Sequence, residues 1–171
     1  NGQQVITTLE DNTASLFDFS TTPPTVVTLE GHTGTITVAN FSPDGKKIIT
    51  ASNDDSILVW DLPNLTSKPI LLSENTAPIG NTSFSPDGKR IIVTSGNKAV
   101  SVWDVSSTTP VATFLEGHTT EVEVTEAIFS PDGMHIITAS KDGNVRLWDY
   151  PDIRPLAANA RAHISHCLSA E

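Results

Sequence analysis

Three residue types that can together attack an ester or an amide occur near one another twice in this chain of 171 residues. His32, Ser52 and Asp54 form one set and His118, Ser140 and Asp142 the other, with the serine two positions before the aspartate in both. A serine activated by a histidine that an aspartate orients is a nucleophilic triad. The duplication argues for another use, because a scaffold repeats its parts and an active site rarely does. A tryptophan follows each set, Trp60 and Trp148, and would shut it off from water. Neither serine sits in the G-x-S-x-G elbow of a hydrolase. The sets therefore read as structural. The chain also has no glycine-rich phosphate loop, so the sequence points to no enzyme and no cofactor.

The elements that position these residues follow from a repeat. Phe17, Trp60, Trp103 and Trp148, each followed by Asp, stand 43, 43 and 45 residues apart. The turn FSPDG occurs at 41–45 and 84–88 and again at 129–133, and IITAS at 48–52 recurs at 136–140. Self-similarity at a fixed period of this length marks a repeat architecture. Within each copy, runs such as TITVANF and SILVWDL are rich in β-branched residues and are separated by turn signals, which predicts short strands. Asp44-Gly45, Asp87-Gly88 and Asp132-Gly133 each lie between two runs, where glycine supplies the positive φ of a tight hairpin. The third strand of a copy, Ser56 to Asp61, is apolar on both faces and must be covered on both. One copy is thus a four-stranded antiparallel sheet that cannot bury itself alone, and radial stacking of such sheets gives a β-propeller.

Gly-His, the Pro-Asp-Gly turn and Trp-Asp, in that order and at this period, resemble the WD-repeat β-propeller family over residues 1 to about 150. The resemblance implies an all-β fold of propeller blades. The expected blades are 1–28 (incomplete), 29–72, 73–115 and 116–152. It also implies that His32, Ser52, Asp54 and Trp60 form one hydrogen-bonded chain inside the second blade, and His118, Ser140, Asp142 and Trp148 one inside the fourth. Such a chain is sound physically, since a buried aspartate needs donors and a buried indole needs an acceptor. The third copy has Asn75 and Asn97 at the histidine and aspartate positions, while the first has Leu9 for the serine and Phe17 for the tryptophan. Both should open more readily to hydrogen exchange than the second and fourth.

Ten basic against twenty acidic residues leave a net charge of −10, which repels phosphate backbones and anionic membrane surfaces. The one cysteine, Cys167, has no partner in the sequence for a disulfide, and no apolar run is long enough for a membrane helix. These features suggest a reducing, cytoplasmic setting, with nucleic acid and membrane set aside as partners. Asn40, Asn64 and Asn81 begin N-x-S/T sequences that this setting makes incidental.

The first copy begins partway through the pattern and should lack its innermost strand. Propellers of this family close with more blades than four, so the chain is expected to be the C-terminal part of a longer propeller, or to close against a second copy. Ile153, Leu156, Ala157, Ala160, Ile164, Cys167 and Leu168 recur at helical spacing, which predicts an amphipathic helix over 153–171. That segment is similar to the short appendage on WD-repeat ends of large bacterial multidomain proteins. His163, His166 and Cys167 lack the spacing of a metal site, and none is expected.

The resemblance implies a rigid platform, a sensor or scaffold whose loops bind a protein or peptide. Thr35, Pro78 and Glu121 in loops before the first strand of a blade, and Glu10, Asn53 and Lys141 in loops after the second, are the candidate contacts. They vary on a frame that is otherwise constant, as a recognition surface would.

Overall fold

The computed structural model describes residues 2–65, 67–72, 78–96, 100–115 and 123–150, and the backbone of 154–157. Fifteen strands, with one 3-10 turn at Leu62–Asn64, form four antiparallel sheets among these residues. Strands β1 (Gln4–Thr8), β2 (Ala14–Asp18) and β3 (Thr25–Leu29) make a three-stranded sheet. The next sheet comprises β4 (Ile36–Phe41), β5 (Lys47–Ser52), β6 (Ile57–Asp61) and β7 (Ile70–Leu72), and β1 holds in the first sheet the register that β5 holds in this one. It is followed by β8 (Ile79–Phe84), β9 (Arg90–Ser95), β10 (Val100–Asp104) and β11 (Val111–Leu115). The last holds β12 (Val124–Phe129), β13 (His135–Ser140), β14 (Val145–Asp149) and β15 (Arg154–Ala157). Strand order in every sheet follows chain order, so each is a meander of the propeller-blade kind.

Strand β15 corrects one expectation. Arg154–Ala157 pairs with β14 and completes the fourth blade, where a helix was expected from 153 onward. The strand is at a sheet edge, the position in a sheet where proline is tolerated. Pairing with β14 outweighs the helical spacing of the apolar residues. The rest of the expected helix, 158–171, lies outside the described residues, as do His163, His166 and Cys167.

The hairpins joining the first two strands share one device. Ser42 Oγ donates to Asp44 Oδ1 over 2.7 Å, the amide of Lys46 donates to the same oxygen over 3.0 Å, and Gly45 closes the turn at φ +67°. Ser85, Asp87 and Gly88 repeat it, as do Ser130, Asp132 and Gly133. The aspartates read as turn formers in the sequence are thus bonded within their own turns.

The chain forms two compact units, Asn1–Ile79 and Gly80–Glu171. In the first, Ile6, Ala14 and Leu16 of one sheet meet Ile36, Ile48, Leu58 and Trp60 of the next. In the second, Ile92, Val100 and Val102 meet Ala127, Phe129, Ile136 and Trp148. Burying one such large side chain is worth about 1.5–3 kcal/mol, so it is the stacking of sheets that makes a blade stable. Two positions depart from this scheme. Val5 is 46% exposed, while Ile48 and Ile136 at its repeat position are at 0%. Ile137 is 38% exposed, while Ile49 and Ile92 at its repeat position are at 0% and 1%.

Candidate functional site

The second blade shows the hydrogen-bonded chain most fully. Strand register sets Trp60 opposite Ile48 and Leu58 opposite Thr50, so Thr50 lies diagonal to Trp60 on the same face of the sheet. Trp60 Nε1 donates to Thr50 Oγ1 over 2.9 Å, and that oxygen is 2.8 Å from His32 Nε2. An indole nitrogen can only donate, so the Thr50 hydroxyl accepts from it. The Asp54 carboxylate facing His32 Nδ1 can only accept, so the neutral ring leaves Nε2 to take the Thr50 hydrogen. The imidazole hydrogen is then on Nδ1, which stands 2.9 Å from Ser56 Oγ and 3.3 Å from Asp54 Oδ2.

Asp54 accepts from the amide of Thr33 over 2.7 Å and from the amide of Ser56 over 3.0 Å, and Ser56 Oγ donates to it as well. Burial opposes its ionisation, but the Ser56 hydroxyl, the Thr33 and Ser56 amides and the neighbouring His32 outweigh it and hold the carboxyl far below the usual carboxylate range. The network therefore ties the loop before β4 to the hairpin between β5 and β6. The fit is close: a Cβ on Gly34 would come within 2.9 Å of the Asp54 amide nitrogen.

The structure brings His32, Asp54 and Trp60 together, and it corrects the expected place of Ser52. Ser52 Oγ donates to Gly34 O over 2.8 Å and accepts from the Asp54 amide over 3.1 Å, so it braces the same loop without touching the tryptophan. Thr50, two residues deeper along β5, bridges histidine and tryptophan instead. The fourth blade repeats this: Trp148 Nε1 donates to Thr138 Oγ1 over 2.9 Å, and Ser140 Oγ donates to Glu123 O over 3.1 Å. Asp142 Oδ1 accepts from the Asn144 amide over 2.8 Å, and its own amide donates to Ser140 Oγ. His118 and Glu121 lie outside the described residues. The readable signal was the threonine of the duplicated IITAS, on the same strand face as the serine.

The other two blades substitute for it. Val93 holds the Thr50 position in the third, and Trp103 Nε1 turns to Ser101 Oγ at 2.9 Å. Asn75 and Asn97 lie outside the described residues. In the first, Asp11 Oδ1 accepts from the amide and hydroxyl of Thr13, and Asn12 Nδ2 donates to Thr33 O over 3.2 Å, which links this hairpin to the loop of the second blade.

The candidate contact residues stand beside the network. The Asn53 amide donates to Thr35 O over 3.0 Å, and the Lys141 amide donates to Glu123 O over the same distance. Thr35, Asn53, Glu10 and Pro78 are exposed. Lys141 is exposed too, and its ammonium is already paired with the Glu123 carboxylate. Among the described residues, no group of three or more His, Cys, Asp or Glu could hold a metal ion, and no helix is long and apolar enough to cross a membrane.

Comparison with known families matches three segments, residues 24–61, 69–104 and 108–149, to the family described as WD domain, G-beta repeat. The chain belongs to this family. WD repeats generally mediate protein–protein interaction as scaffolds, and in this WD-repeat chain the network described above bonds the loop before β4 to the hairpin between β5 and β6. No curated protein matches the chain significantly.

Proposed function

We propose that this WD-repeat chain is a rigid platform that binds a protein or peptide partner through the loops that the histidine–aspartate network immobilises. The observation that carries the reading is the clamp on the second blade, where Asp54 holds Thr33 and Ser56 and leaves Thr35 and Asn53 exposed at its rim. Loops already ordered before binding lose less conformational entropy when a partner docks. No catalytic step is part of this reading. A cytoplasmic location, which the lone cysteine favours, and a sensor role within a larger bacterial multidomain protein, which rests on the family resemblance alone, belong to the same proposal.

Peptides selected from a displayed library against the immobilised chain test it. Binding that falls at least tenfold in the double variant Asn53→Ala, Lys141→Ala supports the loop assignment, and unchanged binding overturns it. A library that returns no binder overturns the platform reading itself.

A second reading, closure against a second copy or further blades, is favoured by the fourth blade. Ile128 and Ile137 pair directly across β12 and β13, and both are exposed, at 44% and 38%. An apolar pair of this kind is the sort of surface another sheet covers.

A further inference from the structure

A groove of about 440 Å³ lies between the Pro-Asp-Gly turns of the third and fourth blades, at the opposite ends of the strands from the Asp54 type of hairpin. Pro86, Gly133, Met134 and Tyr150 supply its apolar lining, and Asp87, Arg90 and Asp132 its charges. Two of these residues break the repeat. The methionine, the only one in the chain, is 59% exposed at a position where the second and third copies carry Lys46 and Lys89. Tyr150, the only tyrosine, takes the position held by Leu62 and Val105. Exchange of exposed lysine for methionine removes a cation and adds a soft apolar surface.

The charges inside are unequally committed. The Arg90 guanidinium lies over the Tyr150 ring at 4.7 Å and reaches Asp87 Oδ2 at 3.4 Å, so it is turned inward on its own partners. Asp132 receives its bonds from Ser130 Oγ and the Met134 amide on Oδ1 alone. Among the described residues nothing bonds its other oxygen. His135 Nδ1 also faces Oδ1, at 3.9 Å.

We propose that this groove receives a lysine or arginine side chain of a partner peptide, its aliphatic stem against Met134, Pro86 and Tyr150 and its cationic head on Asp132. An anionic ligand would meet Asp87 and Asp132 with Arg90 already engaged. An uncharged apolar one would desolvate Asp132 Oδ2 and give it no partner. This deepens the platform reading and rests on it, but uses different residues from the loops above.

The single methionine and single tyrosine are reporters in place. The whole chain, labelled with 13C at the methionine methyl and the tyrosine ring, is titrated with three capped tripeptides, Leu-Arg-Leu, Leu-Gln-Leu and Leu-Glu-Leu. The expected result is a saturable shift of both resonances with the arginine peptide only. Asp132→Asn keeps an oxygen for the turn and should weaken that binding about two- to fivefold, the size of a partly exposed charge pair. Met134→Lys places the chain's own ammonium in the groove and should abolish the shift at Tyr150. No shift, equal shifts with all three peptides, or binding unchanged in both variants overturns the proposal. If library peptides still depend on Asn53 and Lys141 in that event, the groove alone is wrong and the platform stands.

Discussion

The Thr50 hydroxyl accepts the Trp60 indole hydrogen over 2.9 Å, and Thr138 does the same for Trp148 over the same distance. One buried hydroxyl thus connects the sheet to the histidine and, through it, to the aspartate that holds the loop. Thr50→Val keeps the shape of the side chain but strands the Trp60 nitrogen and His32 Nε2 in a buried site. A buried polar group left unpaired costs about 1–3 kcal/mol, so the variant should lose about 2–4 kcal/mol in denaturant unfolding. Thr50→Ser should recover most of that. Equal stability of Thr50→Val and the unaltered chain would mean the hydroxyl bridge contributes nothing.

Much of this arrangement was legible in the sequence because a repeat shows each position several times. The strands and the Pro-Asp-Gly hairpins follow from period and turn chemistry, and the structure has both. Two things were not legible. Thr50 and Ser52 share one strand face, so alternation alone cannot say which meets the tryptophan; only the diagonal set by the register with β6 does. Strand β15 was hidden because its apolar residues also fit a helix, and edge strands carry a weak pattern. The groove beside Tyr150 needs two turns distant in sequence, though Met134 in place of a lysine was a sign of it.

Acid should loosen the second blade through Asp54. Its folded-state carboxyl titrates below the ordinary value of 3.8, so the unfolded chain binds more protons than the folded one in that range. Its stabilising contribution is therefore complete above about pH 5 and is lost as pH falls through the unfolded and then the folded value. Asp44, Asp87 and Asp132, whose pKa values are lowered by the same kind of turn bonds, add to this slope. Asp54→Asn should be less stable at pH 7 and show a flatter loss between pH 5 and 2 than the unaltered chain. Parallel stability curves for the two proteins would refute the assignment.

The hairpins between second and third strands offer a comparison inside one chain. Asn12, Asp55 and Gly143 occupy the same repeat position, and all three have positive φ, at 69°, 63° and 78°. Left-handed backbone suits glycine and is strained for aspartate. Gly143→Ala should thus cost about 1 kcal/mol or more, and Asp55→Gly should be neutral or stabilise by up to about 1 kcal/mol. Thermal unfolding of the two variants decides it. A stabilised Gly143→Ala would show that the turn relaxes to another geometry.

The last prediction separates a covered apolar position from an uncovered one. Ile92 and Ile137 are the same residue of the repeat, but Ile92 is in the core of its unit at 1% exposure and Ile137 is 38% exposed. A lysine at 92 buries an ammonium among Val100, Val102 and Trp148, and the unit should not fold. A lysine at 137 can keep its head in water and should leave circular dichroism and melting nearly unchanged. If the face carrying Ile128 and Ile137 joins copies, light scattering should find a dimer for the unaltered chain and a monomer for Ile137→Lys. An unaltered chain already monomeric at tens of micromolar would remove self-closure as the reading of that face, since an apolar pair this small can also stand exposed on a stable surface.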